Sequence, residues 1–158
     1  MQTEIADAAR IDVDKVVEIY SAPHLYHTKK EANRYVKSFF DYHHIKVVKA
    51  DGTVVGVLFW QVESEKHHGI IVVEDLWMDE KFRRRGLGEK LLRTAINDAV
   101  TIFEKDGFVL RKVLVTTAED NVPARRLYEK VGFQKCAVLK DLYGKGENEL
   151  VYILTLNP

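Results

Sequence analysis

Apolar residues recur along this chain in two periods, and the switches between them predict its elements. Residues 3 to 8 read as a short first strand. Behind Asp12, a capping residue type, Val13, Val16, Val17 and Tyr20 share one face of a helix that runs to about Tyr20. Pro23 marks a loop, and Thr28-Lys29-Lys30-Glu31 has the spacing of a capping box that opens a second helix to about Phe40. The period then falls to two. Ile45 to Ala50 and Thr53 to Val62 flank Asp51-Gly52 and read as a hairpin. A polar turn, Glu63 to Gly69, leads to a strand from Ile70 to Met78. Leu87, Leu91, Leu92, Ala95, Ala99, Ile102 and Phe103 form the longest helical stripe, from about Gly86 to Lys105, with Gly107 after its end. Val109 to Thr117 reads as a strand. Ala124, Leu127, Tyr128 and Val131 form another helical stripe, opened by Pro123 and closed by Gly132. Phe133 to Leu139 and Leu150 to Leu156 are predicted to pair across a long turn holding Gly144 and Gly146. The order β-α-α-β-β-β-α-β-α-β-β predicts one α/β domain over residues 1–158 with a mixed sheet.

Composition narrows the class. Hydrophobic residues are 46% of the chain and charged residues 30%, ordinary for a globular protein. Twenty-four basic and 24 acidic side chains cancel, which argues against a generic binder of nucleic acid or membrane surfaces. No apolar run reaches the length of a membrane span, and Met1-Gln2-Thr3-Glu4 does not begin like a signal peptide. The single Cys136 rules out an intrachain disulfide and fits a reducing cytoplasm. Lying among strand residues, it is expected to be buried and inert.

The run Arg83-Arg84-Arg85-Gly86-Leu87-Gly88 lies where a strand passes into the longest helix. Glycine lets backbone approach a ligand closely, and the first N–H groups of a helix point outward in a positive potential. With three arginines beside them, they suit a phosphate or pyrophosphate. The plain alternative is a solvated charge run beside a turn. No Walker loop occurs, and the third glycine of a dinucleotide fingerprint is replaced by Leu91.

A second stretch, Asn121-Val122-Pro123-Ala124-Arg125-Arg126-Leu127-Tyr128-Glu129-Lys130-Val131-Gly132-Phe133, decides the reading. Together the two resemble the GNAT superfamily of acyl-CoA N-acyltransferases. Arg83, Gly86 and Gly88 match its Arg/Gln-x-x-Gly-x-Gly/Ala motif. Asn121, Ala124, Leu127, Tyr128, Glu129, Lys130, Gly132 and Phe133 match its Asn-x-x-Ala-x-x-Leu-Tyr-Glu-Lys-x-Gly-Phe helix. Leu76-Trp77-Met78 resembles the family's Leu-x-Val strand, with Met in place of Val. The resemblance implies a single-domain, mixed, mostly antiparallel sheet flanked by helices. It also implies acetyl-CoA as cosubstrate, held by Trp77, Met78, Arg83, Arg84, Arg85, Gly86, Leu87, Gly88 and Asn121. A backbone N–H near Trp77 or Met78 would bind the oxyanion, and Tyr128 would protonate the departing thiolate. The alternative for Tyr128 is an aromatic core residue, and for Asn121 a helix cap; cap and cofactor contact are compatible.

The base is less sharply marked. Glu74 and Asp75 lie on the strand that ends at the glycine loop, and alternation puts Glu74 with Leu76 and Met78, and Asp75 with Trp77. A carboxylate in an apolar strand needs a partner or water. Val72 stands where histone-modifying relatives carry their base, so that role does not transfer. The Glu-Asp pair instead resembles the Glu-Asp-Phe-Phe-Val stretch of diamine and polyamine acetyltransferases. His24, Tyr26 and His27 lie where the family often builds its acceptor wall, although solvated loop residues are the default. No histidine spacing suits zinc, so no metal is expected. The resulting expectation is a cytoplasmic acetyl-CoA-dependent N-acetyltransferase acting on a primary amine, with a small cationic amine favoured. A protein N-terminus or lysine, or an aminoglycoside-like cation, stays open as acceptor. A non-catalytic acyl-CoA-binding regulatory domain stays open as another class, and so does a homodimer.

Overall fold

The strands and helices follow the order that the alternation of apolar residues predicts. The computed structural model describes residues 2–22 and 28–156, so the expectations for Pro23, His24, Tyr26 and His27 lie outside the described residues. The elements are β1 (Thr3–Asp7), α1 (Val13–Tyr20), α2 (Lys29–Tyr42), β2 (His44–Ala50), β3 (Thr53–Val62), β4 (Ile70–Met78), α3 (Leu87–Lys105), β5 (Lys112–Ala118), α4 (Val122–Val131), β6 (Gln134–Leu139) and β7 (Glu149–Thr155). The strands form one sheet in the order β1-β2-β3-β4-β5-β7-β6. β1/β2, β2/β3, β5/β7 and β6/β7 pair antiparallel, whereas β4/β5 is parallel. The fold is therefore the mixed, mostly antiparallel α/β arrangement that the resemblance implies.

The chain divides into two compact units. The first comprises Met1–Trp60 and Asp75–Leu91. Its core takes Val16, Val17, Ile19 and Tyr20 from α1, Ala32, Val36 and Phe39 from α2, and Ile45, Val47, Val57 and Phe59 from β2 and β3. The α2 capping box forms as the sequence predicts. Glu31 N–H donates to Thr28 Oγ1 at 3.2 Å, and Thr28 N–H donates to the Glu31 carboxylate at 3.0 Å. Asp12 occupies the cap position of α1 but makes no side-chain cap bond. Its carboxylate accepts instead from Ala9 N–H at 2.8 Å and pairs with Lys49 Nζ at 2.9 Å. A turn of 3-10 helix, Arg10–Asp12, precedes α1 and draws the side chain backward.

The second unit comprises Gln61–Glu74 and Leu92–Pro158. Leu92, Ala95, Ala99 and Phe103 of α3 are buried, as the stripe requires; Ile102 of the stripe is half-buried, and Ile96, off the stripe, is buried. β5 begins three residues later than its apolar pattern suggests. Its parallel ladder starts at Ile70↔Lys112, and the N–H groups of Arg111 and Lys112 both donate to Gly69 O, so Val109 precedes the ladder and is half exposed. Cys136 is exposed, contrary to the burial expected from its strand neighbours. β6 is an edge strand whose six residues are all exposed, and its register slips between Lys135 and Ala137, which leaves Cys136 on a bulge.

Candidate active site

In the first unit, the chain leaving β4 makes a short turn before α3. Asp79 opens the turn by accepting from Lys81 N–H at 2.9 Å. Arg83 ties the turn back to the strand: its Nε donates to Met78 O at 2.9 Å, and its guanidinium lies 3.6 Å from Glu80 Oε1. Arg85 lies 5.3 Å from the Phe82 ring centroid. Arg83, Arg84 and Arg85 are all exposed. Arg84 and Gly86 have φ of 59° and 76°, so left-handed residues alternate along the loop. Such alternation turns successive N–H groups toward one concave side, where an anion can collect them. A non-glycine residue held left-handed is strained by about 1–2 kcal/mol, a strain that functional loops often carry. A Cβ on Gly86 would meet no protein atom within 4 Å. The first intrahelical bond at this end of α3 runs from Lys90 N–H to Gly86 O, so the N–H groups of Leu87, Gly88 and Glu89 precede the helical ladder. Open backbone donors, a 19-residue helix and exposed arginines are a donor set that fits a diphosphate.

The predicted acids lie on β4, the strand that precedes this loop in the chain. Glu74, at the edge of the second unit, is exposed and accepts from Gln61 Nε2. Asp75, Leu76 and Trp77 are half-buried and Met78 is buried. The β4–β5 ladder ends at Val73↔Val115, whereas β4 runs on to Met78 and β5 to Ala118. The backbone of Trp77 and Met78 therefore lies beyond the parallel ladder. Asp75 has a partner that sequence reasoning missed. The Tyr20 phenol is held protonated, its pKa raised well above the usual value of 10.0, first by burial and then by the Asp75 carboxylate. A tyrosine rather than phenylalanine on a core stripe was the available signal, because a buried hydroxyl requires an acceptor.

In the second unit, α4 has the ends its sequence predicts. Asn121 Oδ1 accepts from Ala124 N–H at 3.3 Å, so the cap reading of Asn121 holds. Gly132 is left-handed at φ 113°, and the N–H groups of Gly132 and Phe133 donate to Tyr128 O at 3.1 and 3.0 Å. Tyr128 is buried, with its ring centroid 5.8 Å from Phe133 and 5.9 Å from Tyr152. Tyr152 in turn donates to Glu129 Oε1 at 3.1 Å. Trp60, in the first unit, is buried and stacks on His44 with centroids 3.8 Å apart. Among the described residues, no group of three or more His, Cys, Asp or Glu side chains could hold a metal ion.

The likeness to known proteins extends over the same features. The sequence pattern of the acetyltransferase (GNAT) family matches residues 13–133. An N-alpha-acetyltransferase of Sulfurisphaera tokodaii is 27% identical, over 91% of this chain and 87% of its own length. The spermine/spermidine N(1)-acetyltransferase of Bacillus subtilis is 26% identical over 53% of this chain and 55% of its own. Among solved structures, a GNAT acetyltransferase from Streptococcus pneumoniae superposes with a TM-score of 0.79 over 99% of this chain and 100% of its own, at 18% identity; the fold is shared. With the family pattern spanning the Arg83–Gly88 loop, the acidic strand and the Tyr128 helix, the chain belongs to the GNAT acetyltransferase family and is an acetyl-CoA-dependent N-acetyltransferase.

Proposed function

We propose that the chain acetylates the primary amine of a small cationic acceptor. The observation that carries this reading is the acid pair of β4, with Glu74 open to solvent and Asp75 half-buried directly before Leu76–Met78 and the cofactor loop. Adjacent carboxylates attract an ammonium ion and can accept its proton, and an alkylamine with a pKa of roughly 10 must lose that proton before it attacks. The Arg84–Gly88 backbone and the arginines hold the pyrophosphate of acetyl-CoA, which supplies an activated acetyl thioester. The amine nitrogen bonds to the acetyl carbon, the carbon–sulfur bond breaks, and CoA leaves as a thiolate that takes one proton. A backbone N–H of Trp77 or Met78 donates to the oxyanion of the tetrahedral intermediate. Tyr128 gives the thiolate its proton, since a phenol's pKa of about 10 is close to that of a thiol, and the second proton of the nitrogen, lost as the amide forms, restores the phenol.

A second acceptor, a protein N-terminus, is favoured by the likeness to an N-alpha-acetyltransferase over 91% of this chain, against 53% for the spermine/spermidine enzyme. Thiol release from acetyl-CoA, screened against spermidine, simple diamines, lysine-containing peptides and peptides with free N-termini, separates the two. Turnover with spermidine and diamines at low KM supports the small-amine reading. Turnover confined to peptide N-termini replaces it with the second.

A further inference from the structure

Three charged side chains are buried among the described residues, Asp12, Lys46 and Glu149. The fold pairs the first two, Asp12 with Lys49 at 2.9 Å and Lys46 with Asp7 at 2.8 Å. Glu149, the first residue of β7, is only 8% exposed, yet its carboxylate makes no hydrogen bond or ion pair with any described residue. The residue before it shows the contrast. The Asn148 amide donates to Glu119 Oε2 at 2.8 Å and accepts from Asp141 N–H at 3.1 Å. The Glu149 backbone is fixed too, in register with Ala118 of β5 and Leu139 of β6, so the side chain is placed while its charge is left unmatched. Burying a carboxylate without a partner is costly, and such groups concentrate at sites that take a ligand. The Glu149 oxygens are not among the polar atoms closed to solvent, so a ligand can reach them.

Glu149 and Glu74 stand on one face of the sheet, both in the second unit. Glu74 alternates with Val72, Val72 pairs with Leu114, Leu114 pairs with Ile153, and Ile153 alternates with Glu149. Only β5 lies between β4 and β7, so the two strands are roughly 10 Å apart, a distance that an alkyl chain with an amine at each end can span. Ala118 and Leu139, cross-strand from Glu149, are exposed on that face and offer the chain apolar surface. The two carboxylates suit different nitrogens. The reacting amine must be neutral to attack, and exposed Glu74 can pass its proton on to water. A buried carboxylate instead holds an amine in its charged form, which would silence a nucleophile. We propose that Glu149 binds the ammonium group of the acceptor that does not react, and so selects a diamine or polyamine over a monoamine. This inference rests on the small-cation reading above and names the residue that confers selectivity within it.

The test compares putrescine with butylamine, which share one alkyl chain and differ by an amino group. Binding of each to the full chain saturated with CoA is measured by calorimetry. The native chain is expected to bind putrescine about tenfold more tightly, the scale of a hydrogen bond to a charged group. Glu149→Gln keeps the shape and removes the charge. It should erase the preference by weakening putrescine about tenfold while leaving butylamine unchanged. Its melting temperature should match or exceed the native value, because an unmatched buried charge is gone. Glu149→Asp retains the charge and should keep part of the preference. A native chain that binds the two amines equally, or binds neither, would overturn the proposal without any variant. A preference that survives Glu149→Gln would also overturn it, and a lowered melting temperature beside that result would make Glu149 a structural carboxylate. Putrescine bound through Glu149 but not acetylated would retain the site and reject the acetylation reading. Acetylation of both amines at the same KM, unchanged in Glu149→Gln, would retain that reading and reject the site.

Discussion

The Arg83–Gly88 loop and α4 were both legible as short motifs, yet folding treats their polar groups in opposite ways. In α4 the groups are used internally. Asn121 caps the helix, the carbonyl of Tyr128 takes the N–H groups of Gly132 and Phe133, and the Tyr128 ring is buried beside Phe133 and Tyr152. In the loop, Arg83 is tied to Met78 O by a hydrogen bond, while the N–H groups of Leu87, Gly88 and Glu89 precede the α3 ladder and the three arginines are exposed. The two left-handed glycines show the same contrast. A Cβ on Gly132 would meet Leu154 Cδ1 at 3.4 Å, and one on Gly86 would meet nothing within 4 Å. A motif residue that the fold has already satisfied builds the protein. One that the fold leaves unsatisfied, at a cost in backbone strain, is open to a ligand, and we propose the acetyl-CoA pyrophosphate for that role.

Tyr128 is the residue that can break this division, because its ring serves packing while its hydroxyl is assigned to chemistry. Tyr128→Phe retains the ring, so melting temperature and CoA affinity should stay close to native. If the phenol protonates the thiolate, kcat should fall by on the order of 10²-fold or more, and the alkaline limb of the pH–rate profile should change. Near-native kcat with the same alkaline limb would return Tyr128 to the packed helix with its neighbours.

The loop is tested from the other side. Gly88→Val puts a branched side chain at the N-terminus of α3, where the proposed pyrophosphate lies, and should weaken CoA binding by about tenfold or more. In the native chain, CoA at a hundred times its Kd should stabilise the fold by about 2.7 kcal/mol, read as a rise in melting temperature. A chain that CoA leaves unshifted, while ATP or NAD stabilises it, would contradict the ligand assignment.

Order and type of elements were legible because each apolar stripe has one period, and the caps at Thr28, Asn121 and Gly132 are local chemistry. What escaped depended on tertiary pairing. Nothing in the residues around Val109 says that the ladder begins only opposite Ile70, and nothing beside Cys136 says that its strand lies at the sheet edge. The loop and the Tyr128 helix were visible because their motifs are written in nearly consecutive residues. The Tyr20–Asp75 pairing was not, because its members lie on separate elements and meet only in the folded chain.

The acids of β4 divide along the same line. Glu74 is exposed with Gln61 as its partner, whereas Asp75 is half-buried against the Tyr20 cluster. Asp75→Asn should therefore raise the KM for a cationic amine more than Glu74→Gln does, by several-fold to about tenfold against a few-fold. Equal and unchanged kinetics for both would make the pair structural. Tyr20 also gives a sign for alkaline stability. Its folded pKa is raised, so its contribution is complete below the unfolded value of 10.0 and is lost as pH rises beyond it. Denaturant melts above that pH should show the native chain losing stability faster than Tyr20→Phe does, and parallel losses would remove the burial argument.

The smallest effects sharpen the comparison most directly. Gly86→Ala and Gly132→Ala each place a Cβ on a left-handed residue, with φ of 76° and 113°, and each costs about 1 kcal/mol in backbone strain. At Gly132 the strained residue closes α4, through N–H groups that the fold uses. The cost should fall on folding, lowering the melting temperature by about 2–4 °C with CoA affinity unchanged. At Gly86 no protein atom holds the backbone in place from the Cβ side, so the loop can relax toward ordinary φ values. Relaxation turns its N–H groups away from their common focus. The cost should therefore appear in CoA affinity, about fivefold weaker, with a smaller change in melting temperature. Equal drops in melting temperature with CoA binding intact in both variants would show that the loop, like α4, is shaped for the fold alone.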